Sequence, residues 1–185
     1  MQIYVSRHTK VNIQTGICYG QTEIQLLDSF QMEADLLQKK IPLDLDAVIT
    51  SPLSRCHLLA KRFCHQPLIE DALLEMNFGD WELQAWDRID PEQLQTWMDD
   101  FVHNSPPNGE SMQQLYERVA NFMDRLRATS YQKVLLVTHA GVIRCIWAYL
   151  LAIPLKNTFK ITVDYNRVLV FNLGEHPDYD SIKTM

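Results

Sequence analysis

Residues 134–138 read VLLVT and run straight into His139-Ala140-Gly141. Five residues without polar alternation suit a strand covered on both faces, as in a parallel sheet between helical layers. Two other stretches share this form. IYVS at 3–6 leads into Arg7-His8, and AVIT at 47–50 leads into Ser51-Pro52-Leu53-Ser54-Arg55. Between them lie helical patterns. Strands alternating with helices predict an α/β fold: a mostly parallel central sheet flanked by helices on both faces.

The helices can be placed in outline. Residues 28–40 bring Phe30, Ala34 and Leu37 to one face. Ser51 is expected to cap the next helix with Pro52 in its first position. Its apolar stripe is Cys56, Leu59, Ala60, Phe63 and Cys64, which leaves Arg55 off the stripe in the first turn. A third helix is expected from Ser111, with Gln114 completing a capping box. Its stripe is Met112, Leu115, Val119, Phe122 and Leu126. A fourth follows Gly141 through Leu151. The tail contains two strand-like runs, FKITV at 159–163 and VLVFNL at 168–173. Residues 75–110 break the alternation. They hold Trp81, Trp86, Trp97 and the turn Ser105-Pro106-Pro107-Asn108-Gly109, and read as a helical and loop cap inserted over one domain spanning 1–185.

The chain has 185 residues, enough for one ordinary domain with a sizeable core. Its 17 basic and 23 acidic residues give a net charge of −6, which argues against nucleic acid as a partner. The start, MQIYVSRHTK, lacks the charged and apolar regions of a signal peptide, and no run approaches the length of a membrane span. The four cysteines form no CxxC pair. They read as free buried thiols in a reducing cytoplasm. Cys56-His57 and Cys64-His65 lie eight residues apart, about 12 Å along a helix at about 1.5 Å per residue, too far to share one metal. The expectation is a protein without a bound metal or other cofactor.

Ligands of open α/β sheets bind beyond the carboxyl ends of the strands. Here those ends deliver Arg7, His8, Arg55 and His139. Each has an ordinary reading alone: a surface dipeptide, a solvated helix residue, a core histidine. Three strand ends converging on phosphate-compatible groups point further. Guanidinium forks match phosphate oxygens, and a neutral imidazole is a competent nucleophile at pH 7. Proton transfer at such a phosphoryl site also needs a carboxyl group, for which Glu75, Asp80 and Glu82 are all candidates on this reading.

The pieces Arg7-His8, Ser51-Pro52-Leu53-Ser54-Arg55-Cys56, Leu74–Glu82, Gly109-Glu110-Ser111 and Val137-Thr138-His139-Ala140-Gly141 resemble, in order, the histidine phosphatases, or phosphoglycerate-mutase-like superfamily. Arg-His-Thr followed by Cys18-Tyr19-Gly20-Gln21-Thr22 is similar to the α-ribazole-5′-phosphate phosphatase branch of cobalamin synthesis. The resemblance implies a phosphohistidine on His8, with Arg7, Arg55 and His139 on the phosphoryl oxygens. It implies Glu75 as general acid and then base, leaving Glu82 a structural role. Gln21 and Ala140 join as phosphate or substrate contacts. The implied substrate is a small phosphomonoester, with α-ribazole-5′-phosphate foremost. A phosphoglycerate mutase, or a broad-specificity phosphatase, is the alternative. A phosphohistidine protein phosphatase fits less well, because the small ones lack much of the inserted segment. A non-catalytic phosphate-binding module would not need both histidines, both arginines and an acid. The expected state is a monomer or a homodimer. Two departures stand out: Thr9 replaces the family's glycine beside the nucleophile, and Leu83 replaces the glycine of Trp-Glu-Gly. The tryptophans of the insertion are expected to pack it onto the sheet, with a pocket for a flat substrate as the other reading.

Overall fold

The computed structural model describes residues 1–183. Six strands form one sheet: β1 (Gln2–Arg7), β2 (Ala47–Thr50), β3 (Leu68–Ile69), β4 (Lys133–Thr138), β5 (Val168–Asn172) and β6 (Ser181–Lys183). Their order is β3-β2-β4-β1-β5-β6. The pairs β3·β2, β2·β4 and β4·β1 are parallel; β1·β5 and β5·β6 are antiparallel. Five helices accompany them: α1 (Phe30–Gln38), α2 (Ser54–Ala60), α3 (Pro91–Asp99), α4 (Met112–Arg127) and α5 (Ala140–Leu151).

Successive strand residues feed opposite layers, so neither face can be polar. Ile3, Val5, Val134 and Leu136 pack with α4 and α5. Tyr4, Val48, Leu135 and Val137 pack with α1 and α2. The α4 stripe is buried along its length, and the helix starts with the expected capping box. Gln114 N–H donates to Ser111 Oγ at 3.3 Å, and Ser111 N–H donates to Gln114 Oε1 at 2.8 Å.

Two expectations need correction. Helix α2 begins at Ser54, not beside Ser51. The Ser51 hydroxyl lies ahead of that helix, where it accepts from Leu53 N–H at 3.4 Å and is bonded to His139 Nε2 at 2.8 Å, and the distant Glu23 carboxylate accepts the Ser54 N–H at 2.9 Å. That carboxylate occupies the N-terminal end of α2, where the helix dipole favours an anion. The FKITV run forms no strand. Leu155–Lys160 is a 3₁₀ turn, and the carbonyls of Ile161 and Val163 accept from Arg144 Nε (3.1 Å) and Arg7 Nη1 (2.9 Å) in place of a β-ladder. The short strands β3 and β6 had no sequence pattern to announce them.

The inserted segment folds as two 3₁₀ turns, Gly79–Trp81 and Trp86–Arg88, followed by α3. Trp81, only 3% exposed, packs with Cys18 and Ile89, and Trp86 stacks on Trp97 with centroids 6.2 Å apart. Leu83 adopts φ 65°, the left-handed conformation that suits glycine. A leucine there carries backbone strain that a glycine would avoid. No helix among the described residues is long and apolar enough to cross a membrane. All four cysteines are free, three of them buried.

Candidate active site

The chain leaving β1 reaches α1 on one face, while the chain leaving β4 enters α5 on the other. The crevice between adjacent β1 and β4 is therefore a switch point, and its lips carry His8 and His139. Ladder bonds continue past the strand ends. His8 N–H donates to Thr138 O at 2.9 Å, and Ser51 N–H donates to Val137 O at 3.1 Å. Backbone pairing thus sets the two imidazoles side by side, with centroids 5.1 Å apart.

His8 is 1% exposed. Its Nδ1 lies 2.6 Å from Thr9 O, and a carbonyl only accepts, so the ring proton sits on Nδ1. That leaves the Nε2 lone pair for attack. Burial foremost, then the charges of Arg55 and Arg7, hold the His8 pKa well below 6.5, against a smaller opposing effect of the Thr9 bond. The imidazole is neutral at pH 7. Burial, followed by His8 and the neighbouring arginines, lowers the His139 pKa in the same direction.

Arg55 is completely buried. Its Nη atoms donate to Thr22 O (2.8 Å) and Gly20 O (2.5 Å), and its Nε has no partner. Arg7 donates to Val163 O and Tyr165 Oη, both at 2.9 Å, and its Nε is also buried and unpartnered. Neither arginine has a carboxylate in salt-bridge contact among the described residues. The neighbouring Thr9 hydroxyl is a third buried group without a partner. Buried cations and orphaned donors are costly, and an anion relieves both costs.

The candidate carboxylates separate cleanly. Asp80 accepts from Asn108 Nδ2 at the surface. Glu82 accepts from the N–H groups of Gln21 (2.8 Å), Thr22 (2.6 Å) and Phe78 (3.2 Å), and from the Thr22 hydroxyl. Burial pushes its pKa up, but these bonds outweigh it and the net shift is downward. Such a locked carboxylate ties loop 20–22 to loop 78–82. Glu75 instead accepts from Gly141 N–H at 3.1 Å, at the start of α5, and from Met76 N–H at 2.9 Å. Gln21 Nε2 holds the Glu75 carbonyl at 3.0 Å, while Ala140 occupies the first position of α5, where N–H groups lack intrahelical acceptors.

The family model of the histidine phosphatase superfamily (branch 1) matches residues 3–178. The chain belongs to this family. Among curated relatives, the adenosylcobalamin/alpha-ribazole phosphatase of Escherichia coli K12 is 31% identical over 176 residues, covering 89% of this chain and 86% of that protein. Phosphoserine phosphatase 1 of Hydrogenobacter thermophilus is 24% identical over 169 residues, covering 86% and 80%. The crystal structure of the alpha-ribazole phosphatase from Shigella flexneri superimposes with a TM-score of 0.88 at 26% identity, covering 100% of this chain and 96% of that one.

Four residues of this histidine phosphatase site escaped the sequence reading. Ser51 bonds His139. Arg118 donates to the carbonyls of Ala72, Leu74 and Glu75 and to the Glu110 carboxylate, bracing the segment that carries Glu75. Tyr165 and Arg144 come from the tail and from the middle of α5. Gly141 also gains a physical reason: a Cβ there would stand 2.3 Å from Glu75 Oε1. In Gly141→Ala the carboxylate must move while the helix remains. The expected result is about a tenfold or greater loss on alkyl phosphates with a near-unchanged melting temperature, checked by steady-state rates and thermal unfolding.

Proposed function

We propose that this histidine phosphatase hydrolyses a small phosphomonoester through a phosphohistidine on His8. The carrying observation is the pair of arginines without carboxylate partners, each with a buried free Nε, beside a neutral imidazole whose Nε2 is unprotonated. Nε2 attacks phosphorus in line with the ester oxygen. Arg7, Arg55 and His139 bind the equatorial oxygens, and Glu75 protonates the departing alkoxide. Glu75 then takes a proton from water as the phosphoryl group leaves His8.

For the substrate we favour α-ribazole-5′-phosphate. The Cys18–Thr22 stretch that carries this resemblance is in contact with the chemistry: Gly20 and Thr22 accept from Arg55, and Gln21 holds the Glu75 backbone. A second reading rests on Arg144. It lies close enough to Glu75 and Arg7 to feel both charges, and only its Nε has a protein acceptor. A cation beside the acid favours a leaving group that carries a carboxylate, as in phosphoserine. A panel of α-ribazole-5′-phosphate, phosphoserine, 3-phosphoglycerate and p-nitrophenyl phosphate tests both. The first reading expects at least about tenfold higher kcat/KM for α-ribazole-5′-phosphate, with free phosphate as product. Preference for phosphoserine, reversed in Arg144→Met, selects the second. An isomerised phosphoglycerate would move the protein to the mutases.

A further inference from the structure

The segment 159–165, from the end of the 3₁₀ turn onward, touches the site at alternate residues. Phe159 lies under Arg144, whose Cζ is 5.2 Å from the ring centroid. The Ile161 and Val163 carbonyls accept from Arg144 and Arg7. Tyr165 completes the series. Its hydroxyl accepts from Arg7 Nη2 at 2.9 Å, its ring centroid lies 3.8 Å from Arg7 Cζ, and its ring is steeply inclined to the His8 ring with centroids 5.8 Å apart. Tyr165 Oη is also 3.2 Å from Tyr19 Oη, and the Tyr19 ring lies 5.6 Å from Arg55 Cζ. An unbroken series of contacts, Arg7–Tyr165–Tyr19–Arg55, therefore spans the phosphate cluster.

We propose that Tyr165 is a positioning residue for phosphoryl transfer, holding the Arg7 guanidinium in the orientation that leaves its Nε for the phosphoryl oxygens. An arginine only donates, so the Arg7 bond occupies a lone pair of Tyr165 and leaves the phenolic proton for Tyr19. Burial, above all, raises the Tyr165 pKa, so the phenol stays protonated throughout the neutral range. With Nη1 on Val163 O and Nη2 on Tyr165 Oη, the guanidinium plane has two anchors. Removing one permits rotation about the other, and Nε loses its aim. Such an effect grows as charge builds on the oxygens, so it falls more on the transition state than on bound phosphate.

The inference rests on the phosphatase reading but not on any particular leaving group. Tyr165→Phe keeps the ring over Arg7 and removes only the hydroxyl. Vanadate, which adopts the five-coordinate geometry of the transferring group, is expected to bind about tenfold more weakly, while inorganic phosphate weakens no more than about threefold, both by titration calorimetry. The kcat/KM values for p-nitrophenyl phosphate and alkyl phosphates should fall by one common factor. A merely structural role would lower the melting temperature or the active fraction without changing vanadate affinity per active site. Unchanged vanadate affinity, or a loss confined to bulky leaving groups, overturns the proposal. Wild-type turnover is a separate readout: wild-type protein that binds vanadate but hydrolyses no ester would defeat the phosphatase reading, and the variant's vanadate ratio would still decide the role of Tyr165.

Discussion

In His8→Ala, hydrolysis of every phosphomonoester is expected to fall by about 10⁴-fold or more, the scale on which loss of a covalent nucleophile acts. Rapid quench of wild-type enzyme with labelled substrate should trap a phosphoryl group that is stable in alkali and lost in acid, and the variant should not label. The replacement removes a buried ring between His139 and Tyr165, so thermal unfolding must accompany the rates. His8→Asn, polar but unable to carry the phosphoryl group, serves as the second variant. The pH dependence follows from the same geometry. Burial and two guanidiniums disfavour the imidazolium, which lowers the pKa below 6.5. The His8 imidazole therefore stays deprotonated at pH values where an exposed histidine would charge, and the acid limb of the single-turnover rates should lie below 6.5. Near wild-type turnover in either variant would end the phosphohistidine mechanism.

Glu75→Gln should separate leaving groups. An alkoxide needs a proton as the P–O bond breaks, and a placed acid is worth about 10²–10⁴-fold. p-Nitrophenolate leaves with far less help. Alkyl phosphates should thus lose about 10²–10⁴-fold in single-turnover rate, and p-nitrophenyl phosphate far less. Single turnover matters because the same carboxylate is the proposed base for water, and a slow second step would hide the difference. The isosteric amide can still accept from Gly141 N–H through its oxygen, so the loop need not move. Equal losses on both ester types would make Glu75 a binding or structural group. With Glu75 as the acid, Gly141→Ala should reproduce the leaving-group selectivity of Glu75→Gln, because it displaces that carboxylate without changing its chemistry.

The sequence determined by itself whatever depends on local pattern. Three unalternating runs announced strands covered on both faces, and β2 is placed at the residues its run predicted. The capping box at Ser111 and its stripe set α4, since both depend on residues three or four apart on one helix. Arg7, His8, Arg55 and His139 were legible as a constellation because parallel strands carry their carboxyl ends to one edge of the sheet. Tertiary structure alone decided the rest. Ser51 was a good cap on paper, but α2 starts only at Ser54, and the Ser51 hydroxyl is shared between Leu53 N–H and His139, which the pairing of β2 with β4 brings beside it. FKITV has strand composition, yet its carbonyls are drawn to Arg7 and Arg144, whose unmet donors lie across the fold. Glu82 and Glu75 are equivalent carboxyls in the chain. They differ because one meets the amides of loop 20–22 and the other meets the first turn of α5. Tyr165 left no mark in the sequence, because its partner lies 158 residues away and no local periodicity connects them. Local pattern places elements and their ends; which polar groups then satisfy one another depends on distances that only the packed chain sets.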